Sequence, residues 1–312
     1  MQAKGYMTTL VFDKETSFGT APVQKAGKIL PFNKCELKAS QTIITPTTIT
    51  GTRNPVEPSR GRVSVDGSIE IPVDSEALGY WLTAMFGQPV STGAATPYTH
   101  VFKPSERQPS LVLEKGFVDL KQYFKYSGCK VKSFKMTAGD DGELNATLDL
   151  LGANETITTT SYDSAAVSVT PHKFSNYQGV VKENNVETAY IKTVDLEIDF
   201  GLDGDQYVLG SVGRGDIPEG LITVSGTIKA IFDNISVIQK GIEATETKLE
   251  LVFTNGAKKL SILLPEVQFE RTSPTITGPA GATAEFKFNA YYKDSAEAAA
   301  VMVTLINDTD EY

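Results

Sequence analysis

A strand that runs directly into a helix occurs twice in this chain, 159 residues apart, and that repetition constrains the fold more than any other feature. Residues 63 to 73 alternate strictly, with Val63, Val65, Ile69, Ile71 and Val73 between polar or small neighbours. Adding 159 carries Val65 onto Val224, Gly67 onto Gly226, Ile69 onto Ile228 and Asp74 onto Asp233. The register holds upstream without a gap, placing Leu37 on Leu196, Gly51 on Gly210 and Gly61 on Gly220. Spacing this regular predicts two domains of one kind, and 312 residues let each half bury its own core. We therefore expect an N-terminal arm over 1–25, a first domain over 26–155 and a second over 156–312.

Local patterns say what each domain is made of. From Cys35 onward Cys35, Leu37 and Ala39 share one face and Glu36, Lys38 and Ser40 the other, as in a half-buried strand. The helix is expected to open at Asp74, a good N-cap, with Glu76 in the first turn. Leu78, Trp81, Leu82, Met85 and Phe86 then make one apolar stripe, and Gly87 stops the helix. In the second copy Asp233 keeps the cap, and Ile235, Ile238 and Ile242 fall on one side. Further strands are expected over 111–117, 129–136 and 144–151, and over 248–253, 259–264, 266–269 and 284–292. Residues 153–170, rich in Thr and Ser, read as a linker, and 296–305 as either a short helix or a strand. The class is mainly β: two tandem sandwich or barrel domains, each with one flanking helix.

Two long stretches lack periodicity, Thr42 to Arg62 and Gly201 to Gly220. A loop of that length inside a compact domain is usually functional or disordered, and its presence in both halves favours docking. Its polar candidates are Thr45, Thr48, Arg53, Asn54 and Glu57 in the first loop and Asp203, Asp205, Arg214 and Asp216 in the second.

Charge and motif content exclude several functions. Net charge is −9, and it sits in the second half: residues 1–155 carry 17 Lys+Arg and 16 Asp+Glu, leaving 12 and 22 for the rest. No basic stripe of the kind that neutralises phosphates is present, so tight DNA binding is disfavoured. No apolar run approaches the roughly 18 residues of a membrane span, and the N-terminus lacks a secretory h-region. Cys35 and Cys129 are expected to be reduced and packed. His100 and His172 stand in unlike contexts, and Asp140-Asp141-Gly142 and Asp203-Gly-Asp205 lack the downstream Glu of a calcium loop, so no metal, cofactor or catalytic constellation is expected.

The polar faces of the repeated strands are more informative. Opposite the core they carry Glu36, Lys38, Asp66 and Glu70 in the first copy and Asp195, Glu197, Asp199 and Lys229 in the second, six acids against two bases. Such a face is either a solvated exterior or the lining of a channel.

These residues resemble a known family. Arg53-Asn-Pro-Val-Glu-Pro58, Val65-Asp-Gly-Ser-Ile-Glu-Ile-Pro-Val-Asp-Ser75 and Leu78-Gly-Tyr-Trp-Leu82 are similar to the major tail tube proteins of long-tailed bacteriophages, as are Tyr98-Thr-His-Val-Phe102, Leu113-Glu-Lys-Gly-Phe117 and Tyr123-Phe-Lys-Tyr-Ser-Gly-Cys129. The similarity is close over about residues 26–152 and reaches the remainder through the internal repeat. It implies a structural virion protein, not an enzyme, whose inner strands join neighbouring subunits around a lumen and whose rings stack into the tube that conducts the genome. It further implies assembly in the host cytoplasm, three two-domain chains per ring with pseudo-six-fold symmetry (or six chains), and contacts with tape measure, tail terminator and distal tail proteins. The eight polar-face residues would line the lumen, touching viral DNA without holding it, and the loop residues would bridge subunits or rings. A two-domain adhesion or decoration protein is the competing reading.

Overall fold

The computed structural model describes residues 2–139, 142–188, 190–231, 236–274 and 282–312. In chain order its elements are β1 (Thr8–Lys14), β2 (Lys28–Ile29), β3 (Lys34–Cys35), β4 (Lys38–Ile44), β5 (Ser59–Pro72), helix α1 (Ala77–Phe86), β6 (Val90–Thr92), β7 (Tyr98–Phe102), β8 (Leu111–Phe117), β9 (Gln122–Ala138), β10 (Asn145–Gly152), β11 (Asn154–Thr158) and β12 (Val167–Ser168). The later part contains β13 (Gly179–Glu183), β14 (Val186–Glu187), β15 (Ile191–Asp199), β16 (Thr223–Ile231), helix α2 (Ser236–Glu243), β17 (Thr247–Asn255), β18 (Lys258–Phe269), β19 (Thr283–Tyr291) and β20 (Met302–Asn307). The protein is mainly β, as the alternating patterns require.

Two layers share one core. The inner layer runs in the order β4-β5-β10-β9-β15-β16-β19-β18, every neighbour antiparallel. The long strands β9 and β18 then leave it for the outer layer, where the first half of β9 pairs with β8 and β11 and the first half of β18 with β17 and β20. β1 adds to β8 as β13 adds to β17. The inner order β4-β5-β10-β9 therefore reappears as β15-β16-β19-β18, and the outer order β1-β8-β9-β11 as β13-β17-β18-β20.

The glycine shared by the two strand-to-helix units has one physical job in both. A Cβ on Gly67 would lie 2.4 Å from the carbonyl oxygen of Glu36, and one on Gly226 2.3 Å from that of Asp195. Glu36 and Asp195 are themselves 159 apart, so the same close strand approach is built at the same place in each half.

Helix α1 is buried on more than its apolar stripe. Trp81 has no exposed surface and meets Phe12 of β1 edge-on at 5.3 Å, while Tyr312 lies over Gly79 and meets Tyr80 at 5.0 Å. The helix proper starts at Ala77, three residues after the expected cap, yet the Asp74 carboxylate still accepts the amides of Glu76 (2.7 Å) and Ala77 (2.6 Å). Burial raises Asp74 to about 6, its two amide donors opposing that only in part. The folded state therefore favours the protonated acid, so this stabilisation is complete below the unfolded value near 4 and is lost as pH rises through about 6. Asp74→Asn keeps an acceptor without the charge; it should gain on the order of 2 kcal/mol over the parent at pH 7 and lose that gain near pH 4. Asp74→Ala should instead melt lower throughout, and thermal unfolding across that range checks both.

Four expectations change. The arm is not irregular: all of β1 is paired, and Leu10, Val11 and Phe12 are buried. The linker is docked, with β11 extending the outer layer beside β9 and Tyr162 buried. α2 is not a second α1: Ile238 packs against the core, but Ile242 is half exposed, and Asp233 and Ile235 lie outside the described residues. Residues 259–269 form one strand and 302–307 another, which pairs with β7 from the first half and so threads the two halves through each other.

Candidate channel wall and docking surfaces

The inner layer has one apolar and one polar face, and alternation decides which is which. Leu37, Val65, Ile69, Leu196, Val224 and Ile228 are buried, so the residues between them point the other way. Pairing places these polar side chains in rows across the strands. One row runs Glu70, Thr147, Lys135, Glu197, Ser225, Asn289; the next runs Ser68, Asp149, Ser133, Asp199, Thr223. All eight polar residues expected from the repeated strands lie on this single face, four contributed by β3–β5 and their junction and four by β15 and β16. A concavity lined by Lys135, Thr137, Asp195, Glu197, Thr227 and Lys287 lies on the same side.

The polar face carries more charge of both signs than those eight residues suggest. Lys34, Lys135, Asp149, Glu270, Glu285 and Lys287 belong to it as well, three bases and three acids, and Arg60 and Arg62 continue the same face of β5. They escaped a reading of the repeated strands alone because β9, β10 and β19 join the face only through pairing. Several charges are tied to one another. Lys135 Nζ lies 3.3 Å from both Asp149 and Glu197, whose hydrogen bonds raise its pKa. Lys229 pairs with Glu285 at 3.4 Å, and bonds from Lys34 and Ser68 hold the Glu36 carboxyl below its usual range. Asp195 accepts the Thr137 hydroxyl at 2.6 Å, whereas Asp199 turns back to the amide of Gly201 at 2.8 Å and shapes the strand end.

The two long loops are built differently. In the first, β4 and β5 stay paired out to Ile44 and Ser59, so Thr45, Thr48, Arg53, Asn54 and Glu57 sit at the tip of a projecting hairpin. Ile43, Ile44 and Ile49 are exposed along it, Ile49 almost completely. The second loop folds back onto the first half. Arg214 is buried and donates to the carbonyls of Gly204 (2.6 Å), Val65 (2.8 Å) and Gly152 (2.8 Å) and to Asp66 (2.7 Å). Glu219 receives Lys130 Nζ at 2.7 Å and the Gln108 amide at 2.9 Å. Arg214, expected as a bridge to another subunit, is thus an internal clamp, because three carbonyls and a carboxylate converge on one guanidinium. Asp203 and Asp216 accept nearby backbone amides, while Asp205 lies on the exposed surface of this loop. Between the locked loop and the hairpin lies an open groove lined by Ile44, Arg60, Arg62, Tyr207 and Val212.

Among the described residues nothing converges as reactive groups do. His100 is buried with Nδ1 against the Ser91 hydroxyl (2.7 Å) and Nε2 against the Thr309 carbonyl (2.8 Å), a packed structural histidine. Cys129 is buried and Cys35 half-buried, both free, and burial raises both thiols. Asp140 and Asp141 lie outside the described residues.

Comparison with known families finds a match to a family described as phage tail tube protein, over residues 5–290. A search of curated proteins finds no match.

Proposed function

Because this chain belongs to the phage tail tube protein family, a structural and not an enzymatic one, we propose that it polymerises as stacked rings around a negatively lined channel for genome ejection. As a tail tube protein it assembles with itself and is a component of the virion tail. The proposed ring is a trimer with pseudo-six-fold symmetry, each chain contributing two tandem copies of a tube domain. The observation that carries this is the seam between β9 and β15, where Ser133–Ala138 pairs with Val194–Asp199 and makes the two inner four-stranded sets one surface. Three chains with eight inner strands apiece would close a barrel of about 24 strands, and closure removes the edges that otherwise invite aggregation. The polar face becomes the lumen wall, and the projecting hairpin bridges to the next ring.

The long-tailed type of phage, assembly in the host cytoplasm, and the tape measure, terminator and distal tail partners are part of the same reading and rest on the family resemblance. Negative-stain microscopy of the purified chain tests it. Hollow tubes whose end-on averages repeat three-fold are expected; isolated particles at high protein concentration overturn the tube, and six chains per ring overturn the trimer.

A further inference from the structure

One glycine of α1 serves something outside the helix. Gly79 has no positive φ that would call for glycine, and glycine weakens a helix relative to alanine. The matching position of α2 (79 + 159 = 238) is Ile238, which packs against the core. What Gly79 provides is room: the ring of Tyr312 lies across it so closely that a Cβ there would fall 2.0 Å from Cζ. The same ring meets Tyr80 at 5.0 Å and, in β7, His100 at 4.9 Å and Phe102 at 6.4 Å. Neighbouring residues add hydrogen bonds. Asn307, fully buried, donates its side-chain amide to the Ser75 carbonyl and to the Tyr312 hydroxyl, which in turn donates to the Glu76 carbonyl at 3.0 Å. The Glu76 carboxylate takes the Thr309 hydroxyl at 2.8 Å and Lys258 of β18 at 2.5 Å; burial opposes its charge, but these bonds hold the carboxyl below its usual range. The Thr309 carbonyl receives His100 Nε2, whose Nδ1 takes the Ser91 hydroxyl of β6. Only the first half is built to receive this segment. It inserts β6 and β7 between α1 and β8, where the second half runs from α2 to β17 through residues 244–246 alone.

We propose that residues 307–312, closed on Gly79, are a latch that sets the angle between the two halves of the chain and so the curvature of the ring. This deepens the ring reading above and rests on it. The β9–β15 seam and the Arg214 clamp both tie inner strands to inner strands. Attachments confined to one layer leave two packed bodies free to rock about that layer, as domains do about a hinge. The latch and the β20–β7 ladder tie the halves together in the outer layer, and a second attachment at a different depth fixes the angle. With the latch open, β7 is held to β20 by a ladder of five residue pairs alone, and α1 loses the ring that fastens it to the second half. The latch also closes late. Its two sides are 233 residues apart (312 − 79), so α1 and β7 reach their final packing only after the second half has been made and folded.

Hydrogen exchange on the unassembled chain tests the latch. Gly79→Ala installs a better helix former, yet it should speed amide exchange over 77–86 and 98–102 by on the order of ten-fold, because its methyl evicts the Tyr312 ring. Tyr312→Ala should do the same. Adding Gly79→Ala to Tyr312→Ala should then slow exchange in α1 again, since the methyl meets a vacated place and only its helix preference remains. Additive losses, or a Gly79→Ala chain that exchanges more slowly than its parent, overturn the latch. Tube diameter tests the curvature. The parent should give one diameter in negative-stain images, and Tyr312→Ala a mixture of arcs and tubes of several diameters. One unchanged diameter in a variant whose exchange shows the latch open overturns the role in curvature and leaves the tube reading standing. Failure of the parent to form tubes overturns that reading and the curvature with it, while the exchange results still decide the latch.

Discussion

Deleting Thr45–Thr52 is expected to give a folded protein that no longer forms tubes. The deletion removes only loop residues, nearly all of them exposed, and leaves Arg53–Pro58 to span from Ile44 to Ser59, six residues for a connection that commonly takes two to five. The buried part of β5 starts at Val65, well below the cut, so the melting temperature should move by no more than a few degrees, consistent with the small entropy of shortening a loop. What is lost is Ile49 and the tip that carries Thr45 and Thr48, a segment that leaves the body of the molecule on a paired stem. Arg214 is the reason only the first loop does this. By fixing the second loop to Val65, Gly152 and Asp66 it withdraws that loop from the periphery, so a three-chain ring would present three projecting hairpins and not six. Sedimentation and microscopy of the deletion decide the matter: tubes of normal length would refute a docking role for the hairpin.

Reversing charge on the polar face proposed to line the channel should produce the second large effect, on genome passage and not on assembly. Asp195→Lys/Glu197→Lys shifts each chain by +4 and a three-chain ring by +12. Asp199 is better left alone because its carboxylate holds the Gly201 amide. The Glu197→Lys substitution would set a second ammonium against Lys135 across the seam, a like-charge pair costing up to about 1 kcal/mol, too little to unfold a chain with this core. DNA carries a charge about every 1.7 Å of axis, so each such ring would add lysines that displace counterions and hold it. Ejection from variant virions should slow or stall, and raising salt to shorten the roughly 10 Å Debye length should relieve it. Unchanged ejection at low salt would refute the assignment of this face to the lumen, whereas failure to assemble would place the two residues at a contact.

How much of this was legible beforehand differs by element. Alternation alone separated Leu37, Val65, Ile69, Leu196, Val224 and Ile228 from the polar residues between them, because a half-buried strand must change faces at every residue. The spacing of 159 located two glycines that prove to make the same close strand approach, and the helical stripe identified Trp81 as a core anchor. These are local consequences of period and of missing side chains, and they are written in consecutive residues. Partnership is not written there. Nothing near β1 announced that it pairs with a strand a hundred residues later, or near 302–307 that it pairs with β7; both depend on which edge is vacant once the other strands have packed. Arg214 looked like a loop residue free to reach another subunit until Val65, Gly152 and Asp66, brought beside it by the fold, enclosed it. α2 repeats the helix position but not its burial, since no counterpart of Tyr312 covers it among the described residues. Sequence period thus determined which face each residue takes, while tertiary structure decided which neighbour it meets there, because strand pairing and buried-charge satisfaction are settled between segments far apart in the chain.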